Sequence, residues 1–146
     1  MDIRNALKTD VSEIAELTQQ LGYSIDKNYL KNKFESILEK AGHTIFIAED
    51  NDRKVIAYIH ALSKDLLISI DSVEIGELVV DEKYRRKGIG KQLIQKVDEW
   101  AIENGYQNVI VGSSNKRTTS HSFYPSVGFN YWKEQILYSK ALGNDL

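Results

Sequence analysis

The densest chemistry in this chain lies in thirteen consecutive residues, Leu78-Val79-Val80-Asp81-Glu82-Lys83-Tyr84-Arg85-Arg86-Lys87-Gly88-Ile89-Gly90. An apolar run that reads as a buried strand passes through a basic, glycine-bearing turn into an amphipathic helix. The first amides of a helix have no partner within it, and the helix dipole adds partial positive charge at that end. Gly88 and Gly90 keep side chains out of the path of an anion, while Arg85, Arg86 and Lys87 add formal charge beside it. Such a turn is suited to a phosphate or pyrophosphate. A Walker loop would need Ser or Thr where Gln92 stands, and a dinucleotide fingerprint would need glycine where Leu93 stands. What remains is Arg/Gln-x-x-Gly-x-Gly/Ala, met by Arg85, Gly88 and Gly90.

The elements that must position this turn can be read on either side of it. The run from Ser72 to Val80 is a strand, and Gly88 to Asn104 is the best helix in the chain. Ile89, Leu93, Ile94, Val97, Trp100 and Ala101 form one buried face of it, and Gly105 follows as its stop. Val109 to Val111 is the next strand, which makes a β-α-β unit with parallel neighbours. Upstream, Ile3 to Ala6 is a short strand. Asp10 and Glu13 have capping-box spacing at the start of a helix that ends at Gly22. A second helix spans Asp26 to Lys40 and buries Tyr29, Leu30, Phe34, Ile37 and Leu38. Thr44 to Glu49 and Val55 to Leu62 form a hairpin through Asp50-Asn51-Asp52-Arg53. Downstream come a short helix, Arg117 to Val127, and a last strand, Tyr131 to Ser139. The order β-α-α-β-β-β-α-β-α-β predicts one α/β domain over residues 1–146, a mixed sheet with flanking helices.

A second constellation, Asn115-Lys116-Arg117-Thr118-Thr119-Ser120-His121-Ser122-Phe123-Tyr124-Pro125-Ser126-Val127-Gly128-Phe129, follows the strand after the long helix. With the glycine turn, it resembles the GNAT superfamily of N-acetyltransferases, which use acetyl-CoA. The turn matches the superfamily's pyrophosphate motif. Phe123-Tyr124-x-x-x-Gly128-Phe129 matches its late helix with a catalytic tyrosine, and the element order fits its fold across nearly the whole chain. Within the superfamily the chain is similar to the small bacterial type that includes aminoglycoside and other small-amine acetyltransferases.

The resemblance implies direct transfer from thioester to amine in a ternary complex. The pantetheine arm is expected between strands splaying apart at Val80 and Gly112, paired with the backbone around Leu78, Val79 and Val80, and the Leu78 amide is placed to polarise the thioester carbonyl. The pyrophosphate falls to Arg85, Arg86, Lys87, Gly88, Ile89 and Gly90. Tyr124 is the candidate acid for the departing thiolate, because a phenol with an ordinary pKa near 10 is protonated at neutral pH. Pro125 directly after it is expected to pull Tyr124 away from helical angles. The acceptor must be a free amine, so a base is needed, and Glu74 and Glu77 are the candidates. On a regular strand, residues three apart face opposite sides, so only one should look into the cleft unless a bulge intervenes. Glu74 is the slight favourite, with a water relay as the alternative to both. Asn115 resembles a cofactor-contacting asparagine of the family, with Arg117 and Ser120 as alternatives. Tyr23, Tyr29 and Trp132 are candidates for the acceptor pocket.

Composition narrows the partners. Nineteen basic against 21 acidic residues give a net charge of −2, which disfavours a nucleic-acid or anionic-membrane surface. The chain has no cysteine, so disulfides, Cys-ligated metals and an acyl-cysteine are excluded. His43 and His60 lack metal-ligand spacing, and no metal is expected. No signal sequence or apolar span of about 18 residues is visible, so the cytoplasm is the expected location. The expected partner is a small-molecule amine, with a homodimer left open. The alternatives are a protein N-terminus or lysine as acceptor, or a non-catalytic CoA sensor on the same fold.

Overall fold

Residues 43–80 hold three runs rich in β-branched and other apolar residues, separated by two turn segments, the pattern of antiparallel strands. The computed structural model describes residues 1–113 and 118–143, with backbone alone for 118–120. In it these residues form β2 (His43–Glu49), β3 (Val55–Lys64) and β4 (Ser72–Val80). The chain divides into two compact units, Met1–Gly112 and Ser113–Leu146.

In the first unit, β1 (Asp2–Asn5) pairs antiparallel with β2, and β5 (Val109–Val111) pairs parallel with β4. The result is a five-stranded mixed sheet in the order β1-β2-β3-β4-β5. Directly opposed residues of antiparallel strands share a face. Ile45, Ile47, Tyr58 and Val79 therefore lie together, and they form a core with Ile14 and Leu17 of α1 (Val11–Gln20) and Phe34 of α2 (Lys27–Leu38). Ala57, Ile59 and Ala61 belong to the opposite face, and α3 (Ile89–Glu103) packs on β2, β3 and β4 through Leu93, Ile94 and Val97. No helix among the described residues is long and apolar enough to cross a membrane.

Several details depart from the sequence reading. The Asp10 side chain does not cap α1. It accepts the Leu7 N–H at 2.7 Å and both terminal nitrogens of Arg4 at 2.9 and 3.0 Å. Glu13 is likewise drawn off, to the Val55 N–H at 2.7 Å. In α2, Phe34 is buried but Tyr29 points outward, because the helix presents only a narrow stripe to the sheet. Trp100 is half-buried rather than core. It lines an open cleft of about 360 Å³ with Asp65 and Tyr106, at the opposite end of α3 from the glycine turn. Residues 131–139 form no strand among the described residues, and Tyr131, Ile136, Leu137 and Tyr138 are exposed. Alternation supplies a strand's side chains but not the edge it must pair with.

Candidate active site

The site is built on β4, whose two sides are paired to different extents. On one side β3 accompanies it from Ser72 to Val80. On the other, β5 pairs only with Val73, Glu74 and Ile75. From Gly76 onward the β5-side edge has no strand partner among the described residues, so the backbone around Leu78, Val79 and Val80 can accept an extended amide-bearing chain. This is the splay expected from the sequence, and it begins within β4 itself.

Beyond Val80 the chain is held tightly until the glycine turn. Asp81 is buried; its N–H donates to the Ile56 carbonyl at 2.8 Å, and its carboxylate accepts the Lys83 N–H at 2.9 Å. A short 3-10 turn, Glu82–Tyr84, follows. The Tyr84 hydroxyl donates to Asp50 at 3.1 Å, and the Lys87 ammonium stands 5.3 Å from the Tyr84 ring centre. Arg85 donates Nε to the Val80 carbonyl at 3.2 Å, so it ties the turn to the strand end as well as contributing charge. Arg86 and Gly88 both have left-handed backbone, with φ of 64° and 79°. Gly88 is the N-cap of α3, and a Cβ added there would meet nothing within 4 Å. Its glycine therefore serves the backbone angle, which costs L-residues roughly 1–2 kcal/mol. Among the described residues no side chain caps α3, and no acidic residue occupies its first turn, so the positive end of this helix is open to an anion. Ile89 is buried and anchors that end, while Arg85, Arg86 and Lys87 are exposed.

The two candidate carboxylates are brought to one face. His60 opposes Glu77 and Ala61 opposes Ile75, which leaves Gly76 as an extra residue in β4. This bulge resets the alternation, so Glu74 and Glu77 share the face that carries Leu62 and His60. They differ in their partners. Glu74 is paired with the Lys64 ammonium at 2.9 Å. Glu77 is exposed, lies where β5 has already left β4, and accepts the Tyr58 hydroxyl at 2.9 Å. Tyr58 in turn stands 3.0 Å from the Thr18 hydroxyl, which also donates to the Ile14 carbonyl at 2.9 Å. His60 is 3.0 Å from His43, ring nitrogen to ring nitrogen. Burial pushes His60 below the usual imidazole value, against the opposing pull of the Glu77 charge. Burial, and next the Glu77 charge, push the Tyr58 phenol well above its ordinary value, so it remains a donor. Sequence reasoning missed Tyr58 and Thr18, and allowed for a bulge without placing it. The one local signal was a glycine inside a strand, which often marks a bulge.

In the second unit, α4 (Thr118–Ser126) carries Tyr124. Pro125 lies within the helix, in its last turn, rather than bending Tyr124 out of it. The Phe129 N–H donates to the Tyr124 carbonyl at 3.1 Å and the Gly128 N–H to the Pro125 carbonyl at 3.2 Å. Gly128 has φ of 102°, and the Tyr124 and Phe129 rings meet edge-on with centres 5.6 Å apart. These are the paired bonds and apolar contact of a Schellman stop. The spacing Tyr124-x-x-x-Gly128-Phe129 is thus also what ends this helix and seats the half-buried tyrosine ring. Asn115, Arg117 and the Ser120 side chain lie outside the described residues. Tyr23, Tyr29 and Trp132, considered for an acceptor pocket, are all exposed.

The chain can be set beside known proteins. The aminoglycoside N-acetyltransferase AAC(6')-Iy, solved in complex with CoA, matches with a TM-score of 0.88 over 97% of this chain and 95% of that one, at 26% identity. The aminoglycoside 6'-N-acetyltransferase AAC(6')-Ih of Acinetobacter baumannii matches with a TM-score of 0.86 over 97% and 99%, at 18% identity, a similarity of fold alone. An uncharacterized N-acetyltransferase of Chlorobaculum tepidum is 28% identical over 134 residues, 92% of this chain and 81% of its own length. N-acetyltransferase 8B of Homo sapiens is 28% identical over 125 residues, 85% of this chain, and this chain spans only 46% of that protein. The Acetyltransferase (GNAT) family model matches residues 9–129, a span holding the glycine turn, both carboxylates and Tyr124, and the chain belongs to that family.

Proposed function

We propose that this protein is an N-acetyltransferase that moves an acetyl group from acetyl-CoA directly to the amine of a small molecule, with residues 1–146 acting as one domain. The observation that carries this reading is the half-unpaired β4 running through a basic turn into an uncapped α3. The open edge suits the pantetheine amides, and the helix end with Arg85, Arg86 and Lys87 suits the pyrophosphate. Acetyl-CoA supplies the acetyl group as a thioester. The amide of Leu78 is the candidate donor to the thioester carbonyl. Glu77 takes the proton that the acceptor ammonium must lose. It is preferred to Glu74 because Glu74 is held by Lys64, whereas Glu77 is exposed beside the open edge. Tyr124 returns a proton to the departing thiolate. The lack of cysteine agrees with transfer without an acyl-enzyme. A small amine as acceptor is supported by the aminoglycoside acetyltransferases among the similar structures.

Saturating acetyl-CoA should raise the melting temperature while ATP and NAD leave it unchanged, since a ligand that binds only the folded state stabilises it. No shift with acetyl-CoA would sink the reading. Thiol release should then appear with members of a panel of small amines. Release only with peptide N-termini or lysines would move the acceptor to proteins, and none with any amine would leave a CoA sensor.

A further inference from the structure

Resting on the proposed role of Glu77 as base, we infer that Tyr58 and Thr18 are positioning residues: a buried hydroxyl chain that fixes the Glu77 carboxylate beside the open half of β4. Tyr58 and Thr18 are 4% and 6% exposed, yet every buried side-chain N or O atom among the described residues has a hydrogen-bond partner. The Tyr58 hydroxyl has one proton. Donated to Glu77 over 2.9 Å, it leaves the phenol's lone pairs facing Thr18 at 3.0 Å. The Thr18 proton can turn from the Ile14 carbonyl to Tyr58, so that Thr18, Tyr58 and Glu77 form one chain whose donors all point toward the carboxylate. Donors aimed at a carboxylate favour its charged form, and successive hydrogen bonds strengthen one another.

The location is as telling as the bond. Tyr58 sits in β3 with its ring in the core shared with Ile14 and Leu17, and only its hydroxyl reaches the site. A phenol on a packed ring is a rigid support, whereas a glutamate on a strand has three free torsions. The Tyr58 proton is not itself transferred, because burial and the Glu77 charge keep the phenol from ionising near neutral pH. Among the described residues, the other titratable groups acting on Tyr58 and His60 are His43 from β2, Lys33 from α2 and Tyr23 from the α1–α2 connection, with His60 itself on β3. Glu74, on the same face, is engaged by Lys64.

The test is a titration of the Glu77 side-chain carboxyl by 13C NMR in the full chain, with no acetyl-CoA or amine present. Tyr58→Phe keeps the ring and removes the hydroxyl, and it should raise the Glu77 midpoint by about one pH unit, the value of one hydrogen bond to a charged group. Thr18→Val should raise it by a smaller amount and Thr18→Ser should restore it. Thr18 variants also serve if Tyr58→Phe proves unstable. His60→Gln, which removes the nearest competing titration, should leave the Tyr58→Phe shift in place. An unmoved Glu77 midpoint in Tyr58→Phe and Thr18→Val overturns the inference. The acid limb of the pH–rate profile for thiol release distinguishes the two readings. If it moves with the NMR midpoint, both stand. If the midpoint moves and the acid limb does not, the chain is real and Glu77 is not the base.

Discussion

The two halves of β4 have nearly the same local sequence character and very different surroundings. From Val73 to Ile75 the strand is paired on both sides, and Val73 and Ile75 are buried. From Gly76 to Val80 it is paired on one side only, although Val79 is as buried as any core residue. Each half carries a glutamate on the same face of the sheet. In the first half Glu74 is neutralised by Lys64; in the second, Glu77 meets a phenol and solvent. The single extra residue Gly76 separates the two halves, and it coincides with the point where β5 leaves. The proposed base is thus set apart from its neighbour by where a ladder stops rather than by residue type, since Glu74 is held by Lys64.

This contrast can be broken or sharpened by substitution. The largest expected effect is on turnover: Glu77→Gln should lower it about 10²–10⁴-fold, the usual contribution of a general base. Glu74→Gln should leave turnover near that of the parent and change stability by about 0–1 kcal/mol, as for a partly exposed ion pair. Steady-state thiol release across both variants checks this, and equal losses would erase the distinction between the halves. Next, Arg85→Ala removes the hydrogen bond to the Val80 carbonyl and one charge beside the helix end. It should weaken acetyl-CoA binding about tenfold in calorimetry, or about 1.4 kcal/mol, with most of the loss disappearing at high salt. The smallest effects concern the two glycines. Gly88→Ala must hold a left-handed angle and should lower the melting temperature by about 3 °C. Gly76→Ala places its Cβ at ordinary contact, 3.6 Å from His60 and Leu62, and should shift it by less than about 2 °C.

Legibility in the sequence followed the range of the interactions. Ser72–Val80 and Val109–Val111 were read with the observed boundaries, because β-rich runs bounded by turn residues carry their own signal. The glycine turn was legible for the same reason: the strand, the charges and the helix start are consecutive. Long-range choices were not. Asp10 has the residues of a capping box in sequence, but Arg4 in β1 and the Leu7 amide claim its carboxylate. Residues 131–139 have strand composition, yet they form no strand among the described residues. The choice between Glu74 and Glu77 depended on register. A strict alternation of two would have separated them, and only the pairing of His60 with Glu77 and Ala61 with Ile75 reveals the bulge that puts them together. Tyr58 carries no signal of its own in the sequence, since nothing local tells a buried phenol with a partner from one without.

The open half of β4 is the centre of this account, and hydrogen exchange reads it residue by residue. Saturating acetyl-CoA should slow exchange of backbone amides within Gly76–Val80 that face the open edge, and of the first amides of α3. The doubly paired Val73–Ile75 should change little. If acetyl-CoA binds but Gly76–Val80 exchanges as fast as before, the cofactor does not complete this edge, and the placement of the site on β4 is wrong.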